Sequence, residues 1–242
     1  MAGSDMSIAP VTQPSLVDEF RQRLTFQERP ATQTLVLGLL LWFGIQLGTL
    51  YFGWTVAQWQ WVFTTESFPA LSPGLVLAII SHDPGDVTHL LGNVAFIWLF
   101  AGESEQHMRG IEVVGFFLGM ALASLTVSSA VTGESTLGAS GGALAFVGFH
   151  GSHLFLAHRE ALELDVSDYG PMEAGSLRAY WQGTLLLCPI GFLLFTIGQY
   201  VGFVPAGRID VIGHLVGLVL GVGYAVGRKR VRLLITNWVP FD

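Results

Sequence analysis

Six apolar stretches, separated by polar segments, dominate the pattern of hydrophobic and polar positions along the chain. They run approximately over Thr34–Trp54, His89–Gly102, Val113–Val131, Gly141–Ala157, Leu185–Val204 and Ile212–Val226. A helix needs about 20 mainly apolar residues to cross the ~30 Å hydrocarbon core of a bilayer. The pattern therefore predicts six membrane-spanning helices, of which the second and the sixth are short.

The segment between the first two stretches, Thr55–Thr88, is rich in Trp, Phe, Pro and Gly. Its apolar part, Leu75–Ile80, is too short to cross a bilayer and has prolines on both sides. We predict an interfacial loop between helices 1 and 2. Trp54, Trp59 and Trp61 are expected to form part of an aromatic belt at the membrane surface.

Composition supports a membrane protein. The chain has 242 residues, of which 51% are hydrophobic and only 12% are charged, and its mean hydropathy is +0.56. These values predict an all-α, multi-pass membrane protein whose immediate partner is the lipid bilayer. A net charge of −7 argues against a nucleic-acid partner. Because Cys188 is the only cysteine, an internal disulfide is excluded.

The basic residues indicate how the chain is oriented. Six spans place both termini on one side, and ten of the eleven basic residues then fall on that side, with Arg208 as the exception. The positive-inside rule predicts a cell-membrane protein with both termini in the cytoplasm. The predicted parts are a polar cytoplasmic segment 1–33, a membrane domain 34–227 and a basic cytoplasmic tail 228–242.

Four polar side chains are expected at one shallow depth. Even-numbered spans all run inward, so their first residues lie near the outer surface. His89 begins the second span, Asn93 follows one turn later, Ser140 begins the fourth, and His214 lies near the start of the sixth. Polar groups at such depths are costly unless they are paired or face water, which makes them candidates for function.

These residue types suit acyl transfer. A serine at a helix N-terminus is a weak nucleophile without a base, although it can also be a simple helix cap. Gly213, Gly217 and Gly221 recur every four residues and give the sixth span a smooth face for close packing. If that face packs against the fourth span, His214 could accept the Ser140 proton. His89 and Asn93 could then donate hydrogen bonds to an oxyanion.

Here the chain resembles the rhomboid family of intramembrane serine proteases. The matching motifs are G-A-S-G at Gly138–Gly141, H-L-L-G-N at His89–Asn93, the glycine-rich run Gly213–Gly221 that contains the histidine, and Leu99–Gly110 with Gly102 and Glu105. One departure is Leu144, which stands four residues after the serine, where many members carry an aromatic residue. The resemblance covers about residues 34–227.

The resemblance implies a rhomboid-like six-helix bundle that uses a Ser–His dyad, with no metal and no other cofactor. By position, Ser140 would be the nucleophile, His214 the general base, and His89 with Asn93 the oxyanion hole. Glu105 would anchor the first loop. Phe203 and Pro205 would belong to a substrate gate.

The implied function is a serine endopeptidase that cleaves transmembrane segments of single-span membrane proteins near their outer ends. The alternative is a non-proteolytic rhomboid-like protein that binds membrane clients, but such proteins typically lack the Ser140/His214 pair.

Other catalytic classes have weaker support. His150 and His153 lie one turn apart, but no H-E-x-x-H motif is present, so we expect them to form hydrogen bonds and not to bind zinc. Asp210 precedes His214 by four residues and could orient it, although a loop acid at the membrane surface is the simpler interpretation. The sequence shows no internal repeat, which argues against a transporter built from inverted repeats.

Overall fold

The computed structural model of the protein describes residues 28–65, 72–163, 191, 193–194, 197–198, 201 and 210–238. The described part of the chain is mostly helical. Its helices are α1 (Pro30–Tyr51), α2 (Val56–Phe63), α3 (Gly74–Leu77), α4 (Val87–Phe96), α5 (Gly102–Ser104), α6 (Gly110–Thr132), α7 (Ser140–Glu163) and α8 (Val211–Trp238), with a 3-10 turn at Ala78–Ile80 and a π-helical turn at Ile97–Ala101.

Among the described residues, three helices are long and apolar enough to cross a membrane, namely Pro30–Tyr51, Gly110–Thr132 and the Val211–Lys229 part of α8. They agree in place with the first, third and sixth predicted spans. Helix α7 starts at Ser140, as predicted, and continues six residues past the predicted end at Ala157, to Glu163. The predicted gate residues Phe203 and Pro205, most of the predicted fifth span and the N-terminal segment 1–27 lie outside the described residues.

The predicted interfacial loop contains regular structure. Helix α2 starts with a capping box, in which the Thr55 hydroxyl accepts a bond from the Gln58 backbone N–H and the Gln58 side chain accepts one from the Thr55 backbone N–H. Trp54 and Trp61 are exposed, as a belt requires. The same prediction for Trp59 is wrong, because Trp59 is 7% exposed. Helix formation places it one turn before Phe63, on the buried face, with ring centroids 5.3 Å apart.

Helices α6, α7 and α8 form the centre of the fold, with glycines where backbones meet. A Cβ atom on Gly217 would collide with the Gly141 carbonyl, and one on Gly221 would collide with the Ala145 carbonyl. Gly148 of α7 meets the Leu218 carbonyl in the same way. The prediction that the glycine face of the last helix packs closely against the helix that carries Ser140 is therefore confirmed.

Glu105 connects the segment after α5 to the start of α1. Its carboxylate accepts hydrogen bonds from the backbone N–H groups of Ala31 and Thr32, both at 2.9 Å, and from the Thr32 hydroxyl at 2.7 Å. The expectation that Glu105 anchors the first loop is wrong. Its carboxylate instead satisfies donors that the first turn of α1 leaves without helical partners. Nearby, Arg29 forms a buried ion pair with Glu103 at 3.2 Å.

Candidate active site

Ser140 lies at the junction between a turn and helix α7. Gly138, two residues earlier, has φ +130, a backbone conformation that side chains with a Cβ rarely adopt. Its N–H donates to the Ala78 carbonyl at 2.9 Å, which fixes the turn against the segment before α4. Ser140 is half-buried and lines a cavity of about 900 Å³. The nucleophile candidate is therefore held by rigid backbone and still open to a ligand.

His89 lines the same cavity. Its ring carbon Cε1 and the Ser140 Oγ atom both lie within 4 Å of the point that a Cβ on Gly138 would occupy. Asp86 caps α4 by accepting the His89 backbone N–H at 3.0 Å. Hydrogen bonds from the Thr88 hydroxyl and the His89 backbone hold the pKa of Asp86 below its usual range, so this carboxylate is an ionised acceptor at neutral pH.

His214 is buried in the first turn of α8, beside the start of α7. The carbonyl oxygen of Gly213 lies 3.6 Å from the point that a Cβ on Gly141 would occupy. The residues next to Ser140 and His214 thus lie close together across the two helices. The structure therefore places His89 beside Ser140, and it places the helix starts that carry Ser140 and His214 side by side.

Asn93 lies one turn below His89 and is 6% exposed. Its amide nitrogen lies 2.9 Å from the Nε2 atom of His82. Burial, followed by the charge of His89, lowers the pKa of His82 to about 4. The ring is therefore neutral at pH 7, and Nε2 can accept the Asn93 hydrogen bond. The second amide hydrogen of Asn93 is a further donor by chemistry.

His82 and Gln46 were missed by the sequence analysis. Gln46, fully buried in α1, donates from Nε2 to the His82 carbonyl at 3.2 Å and accepts the His82 N–H at 3.1 Å. A single glutamine inside an apolar span is costly without partners, so its position was a usable signal. His82 lies in the predicted loop, where no regular spacing in the sequence indicates a contact with Asn93.

Hydroxyl groups hold the segment that precedes Ser140. The Thr65 hydroxyl lies 2.7 Å from the Ser129 hydroxyl and 3.1 Å from that of Thr136. The backbone N–H of Thr65 donates to the Thr136 carbonyl at 3.0 Å, and the Thr136 N–H donates to the Thr65 hydroxyl at 2.8 Å. These bonds join the segment after α2, helix α6 and the turn that leads to Ser140.

The histidines at the other end of α7 do not make a metal centre in the described part of the chain. The rings of His107 and His153 have centroids 4.2 Å apart, and His150 is buried against Phe100, with centroids 5.9 Å apart. Among the described residues, no group of three or more His, Cys, Asp or Glu side chains could hold a metal ion.

Comparison with known proteins identifies the chain at the family level. The model of the rhomboid domain matches residues 73–230, more than half of the chain. This range contains all four candidate site residues. A search of curated proteins gives no significant match. The extent of the domain match shows that the chain belongs to the rhomboid family.

Proposed function

We propose that the protein is an intramembrane serine endopeptidase that cleaves transmembrane segments of single-span membrane proteins near their outer ends. Ser140 is the nucleophile and His214 the general base. His89, Asn93 and the Ser140 backbone N–H donate to the oxyanion. The observation that carries the proposal is the contact between Gly141 and Gly217, which brings the helix starts that hold Ser140 and His214 together beside an open cavity.

The first half of the reaction forms an acyl-enzyme. The Ser140 hydroxyl proton moves to a His214 ring nitrogen as Oγ bonds to the scissile carbonyl carbon. The negative charge on the resulting tetrahedral oxygen is stabilised by the oxyanion donors. Collapse of this intermediate breaks the C–N bond, and the leaving amine takes the proton from His214.

The second half releases the acyl group. His214 removes a proton from water, the hydroxide oxygen bonds to the ester carbon, and the bond to Ser140 Oγ breaks. The proton on His214 then returns to Ser140. The open cavity supports this step because it gives water access to a serine that is only half-buried. Neither half-reaction uses a metal or an organic cofactor.

The family and the apolar helices make the chain a multi-pass membrane protein. We further propose that residues 34–227 form a six-helix bundle, with the polar 1–33 and basic 228–242 segments in the cytoplasm of the cell. The asymmetry of basic residues supports this orientation. The site then lies at the outer side, where a substrate helix must unwind to expose its scissile carbonyl.

Cleavage of a purified single-span substrate in lipid tests the proposal. The wild-type protein is expected to cut the substrate once within or beside its transmembrane segment. Ser140→Ala and His214→Ala are expected to be inactive. Gly223→Ala serves as a matched control, because no neighbour in the described part of the chain lies within 4 Å of the point that its Cβ would occupy. Binding of the substrate without cleavage by wild type would instead favour a non-proteolytic client-binding protein.

A further inference from the structure

Asp210 makes three hydrogen bonds at the start of helix α8. Its carboxylate oxygen Oδ1 accepts the Gly213 N–H at 2.8 Å and the Ser128 hydroxyl at 2.5 Å. Its backbone carbonyl accepts the His214 N–H at 3.0 Å. A side-chain cap alone would satisfy the Gly213 donor. The bond to Ser128 adds a direct link between the first turn of α8 and a different helix, α6.

Helix α6 contacts both sides of the proposed dyad through one of its faces. Ser124 and Ser128 are one turn apart, so they share a face, and both are fully buried. The Ser124 Cβ lies 2.5 Å from the point that a Cβ on Gly141 would occupy, directly after the nucleophile. Ser128 holds Asp210, directly before the helix of the base. Contacts with helix α6 thus help to fix the position of Ser140 relative to His214.

We propose that Asp210 is a positioning residue for His214. Its carboxylate caps the first turn of α8, which carries His214, and accepts a bond from Ser128 that ties this turn to α6. The inference rests on the proposed function. A hydroxyl that donates to a carboxylate forms a short and strong hydrogen bond, as the observed distance indicates. This bond restricts rotation and sliding of the first turn of α8. Rates of catalysis are sensitive to displacements of about 1 Å between reacting groups.

Four variants test this role in the full-length protein in lipid: Asp210→Ala, Asp210→Asn, Ser128→Ala and the double alanine variant. Asp210→Ala is expected to lower kcat by about 10- to 100-fold, with KM changed by no more than about twofold. Asp210→Asn should recover part of kcat, because an amide oxygen accepts the same two bonds but without the strengthening that the negative charge gives. Ser128→Ala should lower kcat about 3- to 10-fold, with little added loss in the double variant.

The labelling of Ser140 by a fluorophosphonate separates positioning from folding. A positioning role predicts slower labelling with an unchanged final stoichiometry, because every molecule is folded but poorly aligned. Reduced stoichiometry at an unchanged rate would overturn the inference, since it would show that Asp210 only supports the fold. Wild-type kcat in both Asp210→Ala and Ser128→Ala would also overturn it.

The Asp210→Asn variant distinguishes the effect of the hydrogen bonds from the effect of the negative charge. Asp210→Asn that is as slow as Asp210→Ala would show that the negative charge, and not the pair of bonds, matters. That result would also overturn the inference, while wild-type cleavage would leave the proposed protease function intact. Wild-type protein that neither cleaves substrate nor labels would instead refute the proposed function, and the inference with it.

Discussion

Substitution of Gly217 by alanine tests the packing on which the site depends. A Cβ at this position would overlap the Gly141 carbonyl oxygen, with the carbonyl carbon at 2.9 Å and Cα at 3.0 Å. All three atoms belong to the backbone, so no rotamer change can relieve the collision. Non-bonded carbons prefer separations of about 3.5–4.0 Å, so α7 and α8 must move apart locally by roughly 0.5–1 Å.

The expected loss of stability follows from opposing effects. Overpacking at a close contact costs about 1–3 kcal/mol. Replacing glycine in a helix returns about 0.5–1 kcal/mol. We therefore expect Gly217→Ala to lower the free energy of unfolding by roughly 1–2 kcal/mol, a factor of about 5–30 in the equilibrium. Because Gly141 follows Ser140, the same displacement should slow substrate cleavage by on the order of 100-fold.

Reversible unfolding by denaturing detergent in mixed micelles measures the first effect, and cleavage of a single-span substrate measures the second. Gly223→Ala, on the same helix, is the matched control, because no neighbouring atom of the described residues lies within 4 Å of the point that its Cβ would occupy. It should raise stability by about 0.5–1 kcal/mol and leave cleavage unchanged. Equal stability and activity of Gly217→Ala and Gly223→Ala would refute the packing argument.

Three other substitutions address the remaining contacts. Glu105→Ala should destabilise the protein by about 1–3 kcal/mol in the same unfolding assay, because donors of α1 lose their acceptor, whereas Glu134→Ala on the surface should stay within about 0.5 kcal/mol. Gln46→Leu should cost about 1–3 kcal/mol by leaving the His82 backbone groups buried without this partner; wild-type stability would count against the contact. The pKa of His82 is about 4 in the folded protein, against an ordinary value of 6.5. Between these two values the unfolded state binds more protons at His82, so the free energy of unfolding falls as the pH falls from 7 to 4. His82→Gln should remove roughly 3 kcal/mol of that loss. The same dependence of the unfolding free energy on pH in the variant and the wild type would contradict the lowered pKa of His82.

The pattern of apolar residues predicted the positions of the first, third and sixth spans well, because crossing a membrane demands length and low charge and little else. The start of α7 at Ser140 was also predictable, since a small-residue turn precedes it. Similarly, the spacing of Gly213, Gly217 and Gly221 predicted the close approach to α7. In these cases a local or periodic property of the sequence determines the structure.

Contacts between distant segments could not be predicted in this way. Glu105 was expected to anchor a loop, but it caps α1, because helix ends need acceptors wherever the fold places one nearby. Trp59 was expected at the membrane surface, but its position one turn before Phe63 turns it inward. The bond between Asn93 and His82 crosses a segment without periodicity, so no spacing rule could reveal it.

The turn before Ser140 shows the same limit. Its bonds to Thr65 and Ala78 depend on three parts of the chain that the sequence alone does not align. The consequence for function is that the serine was identifiable from its glycines, whereas the parts that hold it in place were not. Asp210 is a different case, because its spacing to His214 was visible in the sequence, whereas its bond to Ser128, 82 positions away, was not.

The most direct test of the central claim is the mass of the fluorophosphonate adduct on purified protein in lipid. A Ser140 hydroxyl activated by His214 should give one adduct per chain, mapped to Ser140, in wild type and in Gly223→Ala. Ser140→Ala should give none, and His214→Ala should label far more slowly. No adduct in folded wild type, or an equal labelling rate in His214→Ala, would contradict the account.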